Sequence, residues 1–341
     1  MGSVSQVQLD NPSSANEPFF VISHLSVTFE TTTGMLRGKK KTVRAVDDVS
    51  FDLHKGEFLA IVGETGSGKS TIARCLLGLT TPSSGSIKHN GVAINSLKGK
   101  ALREYRKDVQ IVYQDPFESL INRQTVLNNI AIPLKYLNGE KNKSEIRETV
   151  AALLNEVGLK PEIMNRYPHQ ISGGERQRVS IARALASNPK VLIADEPITM
   201  LDAAQRLNVL SLLVNLKAKR NLTLIIITHD LASAVIVGDR ILVMYAGKVL
   251  ESAPARALIA KPFHPYVELI LESTPGLESK NAVTDATSLS SEILTVSPGC
   301  VFEHRCKYSK TNCKEKQPDL IEMSAEHYAA CYYPLNHQSK D

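Results

Sequence analysis

The chain has 341 residues, 43% of them apolar and 22% charged, the balance of an ordinary soluble protein with room for a large core and more than one structural unit. A net charge of +5 fits a nucleic-acid partner or an anionic membrane surface but demands neither. No apolar run approaches the roughly 18–20 residues that cross a bilayer, and residues 1–18 read as a polar tail without a signal core, so a cytoplasmic protein is expected.

Residues 19–62 fall into three runs, FFVISHLSVTF, VRAVDDVSFDL and EFLAIVG, which read as strands with an antiparallel component. The lysine- and glycine-rich TTTGMLRGKKKT between the first two is expected to be an exposed hairpin loop. Phe29 ends the first strand. It either packs into the core or offers a platform for an adenine ring.

The run Phe58 to Val62 is short, continuous and followed by Gly63-Glu64-Thr65-Gly66-Ser67-Gly68-Lys69-Ser70. From Thr71 onward, Ile72, Leu76 and Leu79 share one helical face. A strand, a glycine loop with Lys-Ser and a helix make the phosphate-binding P-loop pattern. The glycines let backbone N–H groups curl round phosphate oxygens, and the helix start adds partial positive charge. Lys69 is expected at the β- and γ-phosphates and Ser70 at Mg²⁺. Residues 63–71 therefore bind a nucleoside triphosphate.

Further along, SIKHNGVAI reads as a hairpin with Asn90-Gly91 at its tip, and VQIVYQDP as a strand ending in Gln114. Residues 117–186 look mainly helical. Strand–helix–strand alternation returns over 191–228, followed by a hairpin centred on Ala246-Gly247. A polar connector, 276–297, separates a unit spanning 19–275 from a small terminal module, 298–341.

ISGGERQRVSIARA, 171–184, is the most discriminating stretch. Ser172 is a good N-cap, and Gly173 and Gly174 expose backbone N–H groups at a helix start, a second anion site. VLIADEP delivers two acids to a strand end. Asp195 is placed to ligate Mg²⁺ through water, and Glu196 to polarise the attacking water. His229, after a third apolar run, is placed for the γ-phosphate, and Gln114 for both Mg²⁺ and the water.

In this order, the P-loop, Gln114, the signature-like ISGGE, DEP, Met200-Leu201-Asp202 and His229 resemble an ATP-binding cassette (ABC) protein over about 19–275. The resemblance implies an α/β P-loop NTPase core with an antiparallel β subdomain and an inserted helical subdomain at about 117–186. It also implies a second ATPase subunit, so that Ser172, Gly173, Gly174 and Glu175 clasp ATP held by the other chain. KPFHPYVELILESTPG and the cysteine-rich end look like the C-terminal extension of oligopeptide/dipeptide-type importer ATPases. That likeness implies ATP hydrolysis at the cytoplasmic face of the cell membrane, two integral-membrane permease subunits and an extracytoplasmic solute-binding protein. Two departures are Leu120-Ile121-Asn122-Arg123, where the subfamily has Leu-Asn-Pro-Arg, and Thr199-Met200, where it has a small pair.

A soluble ABC ATPase acting on DNA or ribosomes would carry two cassettes or a long coiled coil. This chain shows one cassette and no coil, so no nucleic-acid partner is expected. A redox- or iron-sensing module is the other alternative, prompted by the cysteines. Cys75 reads as a small buried hydrophobe. Cys300, Cys306, Cys313 and Cys331 crowd the terminal module with spacing C-x5-C-x6-C-x17-C, which suits zinc or an iron–sulfur cluster. The resemblance favours [4Fe–4S]. His304 and His327 are expected to be solvent-facing or structural.

Overall fold

The computed structural model describes residues 18–33, 39–274 and 298–336. The expected N-terminal tail up to residue 17, the tip of the lysine-rich loop and all of the connector lie outside them. The strands are β1 (Pro18–Thr33), β2 (Lys39–His54), β3 (Phe58–Val62), β4 (Ser84–His89), β5 (Val92–Ala93) and β6 (Val109–Val112). They continue with β7 (Val191–Asp195), β8 (Thr223–Thr228), β9 (Arg240–Tyr245), β10 (Lys248–Pro254), β11 (Ile321–Ser324) and β12 (His327–Ala329).

Two sheets result: β2-β1-β4-β5, and β11-β12-β10-β9-β3-β8-β7-β6. In the larger sheet β6, β7, β8, β3 and β9 run parallel, and β10, β12 and β11 extend it antiparallel. FLAIV, VLIAD and TLIIIT are continuous apolar runs because strands inside a parallel sheet are covered on both faces. Alternation then splits their side chains between two cores. Phe58, Ala60 and Val62 join the helical side, while Leu59 and Ile61 join the β1–β2–β4 side.

The helices are α1 (Lys69–Leu76), α2 (Gly99–Asp108), α3 (Pro116–Ser119), α4 (Val126–Pro133), α5 (Lys143–Glu156) and α6 (Gly173–Leu185). Then come α7 (Ala203–Arg220), α8 (Leu231–Val237), α9 (Ala255–Ala260), α10 (Pro265–Glu272) and α11 (Thr311–Glu315). Helix α1 is shorter than the apolar spacing predicts. It ends at Leu76, so Leu79 lies beyond it and is 55% exposed, whereas Ile72, Cys75 and Leu76 are buried.

The C-terminal residues do not stand apart from this frame. Strand β12 pairs with β10, placing Glu251 opposite Ala329, and Cys300, Phe302 and Cys313 belong to the larger core. The fully buried Glu251 carboxylate accepts hydrogen bonds from the backbone N–H groups of Phe263 (2.9 Å) and His264 (2.6 Å) and pairs with His327 Nε2 at 2.6 Å. His327 is thus structural. Among the described residues no helix is long and apolar enough to cross a membrane.

Candidate active site

The loop between β3 and α1 is drawn tight by its backbone. Gly68 sits at φ 99°, and a Cβ there would run into the Ala45 carbonyl oxygen of β2. Lys69 is buried, and its Nζ donates to the carbonyls of Gly63 (2.7 Å) and Glu64 (2.8 Å). Burial holds its ammonium below the usual lysine range, opposed by the charges of Glu196, Asp195 and Glu64. Nζ also reaches the Ser67 hydroxyl at 3.4 Å, and a cation held by neutral oxygens and desolvated beside three acids is a strong attractor for polyphosphate.

Ser70 opens α1 and its hydroxyl donates to Asp195 Oδ1 at 3.1 Å. Asp195 ends β7, and burial pushes its carboxyl up from the ordinary aspartate value while the Ser70 hydrogen bond opposes that. The next residue, Glu196, has φ 46°, a left-handed conformation that a non-glycine residue adopts only where its surroundings hold it. Its N–H donates to the Ile227 carbonyl of β8. One carboxylate oxygen, Glu196 Oε2, then meets Gln114 Nε2 (3.3 Å), His229 Nδ1 (3.2 Å) and Thr199 Oγ1 (2.9 Å). Gln114 lies two residues past β6 and His229 just past β8, so three neighbouring strands deliver the group.

Ser172 caps α6 with a reciprocal pair: its Oγ accepts from Glu175 N–H, and its own N–H donates to Glu175 Oε2 at 2.8 Å. Gly173 faces open space. Among the described residues no hydrogen bond links 172–175 to the P-loop, so the fold brings together the P-loop, Asp195, Glu196, Gln114 and His229 and leaves the signature apart. Phe29 is 40% exposed on β1, which removes core packing as its role.

Residues 46–199 match the family model for ABC transporters, and residues 250–313 the model for the oligopeptide/dipeptide transporter C-terminal region. The oligopeptide transport ATP-binding protein AppF of Bacillus subtilis (strain 168) is 41% identical over 309 residues, 89% of this chain and 94% of that protein. OppF of Haemophilus influenzae is 38% identical over 325 residues, 94% of this chain and 98% of the relative. The chain belongs to the ATP-binding subunits of oligopeptide/dipeptide ABC importers. It is an ABC ATPase, in which ATP hydrolysis is coupled to transport. A solved dimeric ATP-binding cassette in a post-hydrolysis state, bound to ADP and Pi, aligns at TM-score 0.61 and 30% identity, covering 70% of this chain and 99% of that one.

In this ABC ATPase the four C-terminal cysteines line one small cavity together with His264, Phe302 and Tyr333. The expected metal-binding module is nevertheless not supported: among the described residues no three His, Cys, Asp or Glu side chains are grouped to hold a metal ion. Cys300 and Cys313 pack as apolar groups in the larger core, while Cys306 and Cys331 are half-buried. Burial pushes Cys300 up to about 11 and Cys331 up to about 12, and raises Cys306 as well, so all three are protonated at neutral pH. Another lining group differs in kind. His264 Nδ1 accepts from the Tyr266 N–H (3.0 Å), which puts the neutral ring's proton on Nε2, and that buried nitrogen has no partner among the described residues. His304 is exposed beside Glu303, as a solvent-facing residue should be.

Three contributors to the ATP site escaped the motif reading. Thr199 braces Glu196, Tyr266 OH accepts from the Glu64 N–H at 3.3 Å, and Arg305 Nη1 donates to both Glu64 carboxylate oxygens at 2.8 and 3.0 Å. Thr199 was visible only as a departure from the usual pair. Tyr266 and Arg305 lie 202 and 241 residues from Glu64, beyond the reach of any local pattern.

Proposed function

We propose that this chain powers uptake of peptides or similar small solutes from the cytoplasmic face of the cell membrane. It would work with a second, related ATPase chain, two integral-membrane permease subunits and an extracytoplasmic solute-binding protein. The names of its relatives, oligopeptide transport in Bacillus subtilis and di/tripeptide transport in Pseudomonas aeruginosa, support the solute class. The observation that carries the catalytic part is the convergence of Gln114, Thr199 and His229 on Glu196 Oε2.

The β- and γ-phosphates of ATP enter the loop 63–71 and replace the Gly63 and Glu64 carbonyls as partners of Lys69. Ser70, Asp195 and Gln114 are the residues that would hold Mg²⁺. Their hard oxygen donors suit it, and a buried acid raised by desolvation calls for a cation. When bound, Mg²⁺ screens the phosphate charge. Glu196 accepts a proton from the water whose oxygen attacks the γ-phosphorus. The bond from that phosphorus to the β–γ bridging oxygen breaks, and ADP leaves with the electron pair. His229 faces the γ-phosphate, Phe29 stacks on the adenine, and Ser172, Gly173, Gly174 and Glu175 clasp the nucleotide of the other chain.

Glu196→Gln, measured in the assembled complex, should still bind MgATP yet lose ~10²–10⁴-fold in turnover. Retention of more than about a third of the wild-type rate, far outside that range, removes Glu196 from the role.

For the tail, the finer reading is a [4Fe–4S] cluster on Cys300, Cys306, Cys313 and Cys331, with zinc as the alternative. What supports it is the four cysteines lining one cavity and the His264 Nε2–H, which has no partner among the described residues and is a donor suited to a metal-bound thiolate. Such a group would act as a covalent clamp on a segment with little core of its own.

A further inference from the structure

The cysteine-rich tail reaches into the nucleotide site through one side chain. Phe302, fully buried, packs edge-on against Tyr245 (5.4 Å, 86°) and tilted against Tyr266 (5.2 Å). That aromatic cluster fixes the single turn Glu303–Arg305 and aims Arg305 back at the P-loop. The guanidinium lies 5.5 Å from the Tyr245 ring centre and 5.7 Å from that of Phe302, while Nη1 bonds both Glu64 oxygens and, at 3.3 Å, Tyr245 OH.

Glu64 is therefore held at three points. Its N–H donates to Tyr266, its carbonyl accepts from Lys69, and its carboxylate pairs with Arg305. The carboxylate also acts electrostatically on the Lys69 ammonium, which places its charge within reach of whatever that ammonium binds. An unpaired carboxylate in a loop that wraps polyphosphate repels it. Pairing with a guanidinium cancels that repulsion and fixes the loop residue whose carbonyl hands Lys69 over to phosphate.

We propose that Arg305, delivered by the cysteine-rich tail, is a positioning residue of the ATP site: it neutralises Glu64 beside the phosphates and so sets the affinity for ATP. The proposal rests on the P-loop reading above. It makes the tail part of the nucleotide site rather than an appendage.

The test uses the full chain and equilibrium titration with a fluorescent ATP analogue plus Mg²⁺, followed by steady-state hydrolysis in the assembled complex. Because the pair is partly exposed, Arg305→Ala should weaken binding about two- to fivefold. The loss should fall on KM, with kcat following wild type. Arg305→Lys, which keeps the charge, should recover most of the affinity. Adding Glu64→Gln to Arg305→Ala should also recover it, because the unpaired charge is then gone. Affinity unchanged in Arg305→Ala, or lowered without rescue by either second variant, overturns the proposal. Lys69→Ala serves as the separate check on the parent reading: if it binds nucleotide like wild type, the P-loop assignment itself fails.

Discussion

The strand-end carboxylate and the cysteine cavity both gather residues from distant segments, yet they are built differently. Gln114, Asp195, Glu196 and His229 follow adjacent parallel strands, so sheet register alone brings them together, and they are already hydrogen-bonded to one another or to Ser70 and Thr199. Cys300, Cys306 and Cys331 sit on irregular segments and Cys313 on the short helix α11, and burial keeps Cys300, Cys306 and Cys331 as neutral thiols. A topologically fixed site is preorganised before its ligand arrives. The cavity acquires charge only if something withdraws its protons.

The sharpest way to break this contrast is to ask whether the preorganised half is complete within one chain. In a mixed pair of copies, Lys69→Ala on one chain and Ser172→Ala on the other should disable one site and spare the second. Both changes on a single chain should disable both, at about 10²–10³-fold per site, the usual loss for a preorganised charge-stabilising donor. Equal rates in the two arrangements would show that no site is shared.

Glu251 tests the attachment of the cysteine region next. Glu251→Ala leaves His327 and two buried N–H groups without their acceptor, so it should cost about 3–5 kcal/mol in urea unfolding. Glu251→Gln retains one carbonyl acceptor and should cost less. Equal stability of both variants and wild type would mean that β12 is held by other contacts.

The smallest effect belongs to the thiols. Anaerobically purified chain should be brown, absorb near ~400 nm and carry about four irons. Cys331→Ser should bleach it, and because Arg305 links the cavity to Glu64, ATP affinity should drop by no more than about two- to fivefold. Colourless protein with one zinc replaces the cluster and keeps the site. Metal-free protein with four reactive thiols and an ordered tail rejects both.

Much of the catalytic half was legible because its signals are local. Apolar runs of strand length ending in Gly63, Asp195 or Thr228 mark buried parallel strands, and chemistry placed just after them falls at one edge. The hairpins at Asn90-Gly91 and Ala246-Gly247 were legible for the same reason, since all four residues adopt the positive φ that such tips require. Leu79 misled because the apolar spacing runs on past the point where α1 stops. The contacts between the tail and the P-loop were not legible for a different reason. Composition reports that 276–297 is polar, but it does not report that Arg305 and Tyr266 converge on Glu64. Nor does a lone His327 announce a buried carboxylate partner 76 residues away.

The pairing of β12 with β10 also bears on how this protein behaves in solution. Strand β10 carries five successive buried residues, Val249 to Ala253, and without β12 it would be the rim of the larger sheet. An uncovered sheet rim invites strand addition from any neighbouring chain. In the folded chain that rim is taken by β12 and then β11, a four-residue strand whose Ile321, Glu322 and Ser324 are exposed, short and polar enough to discourage further growth. A protein cut back to the cassette would keep its nucleotide motifs and lose this cover, and self-association would be the first defect it showed.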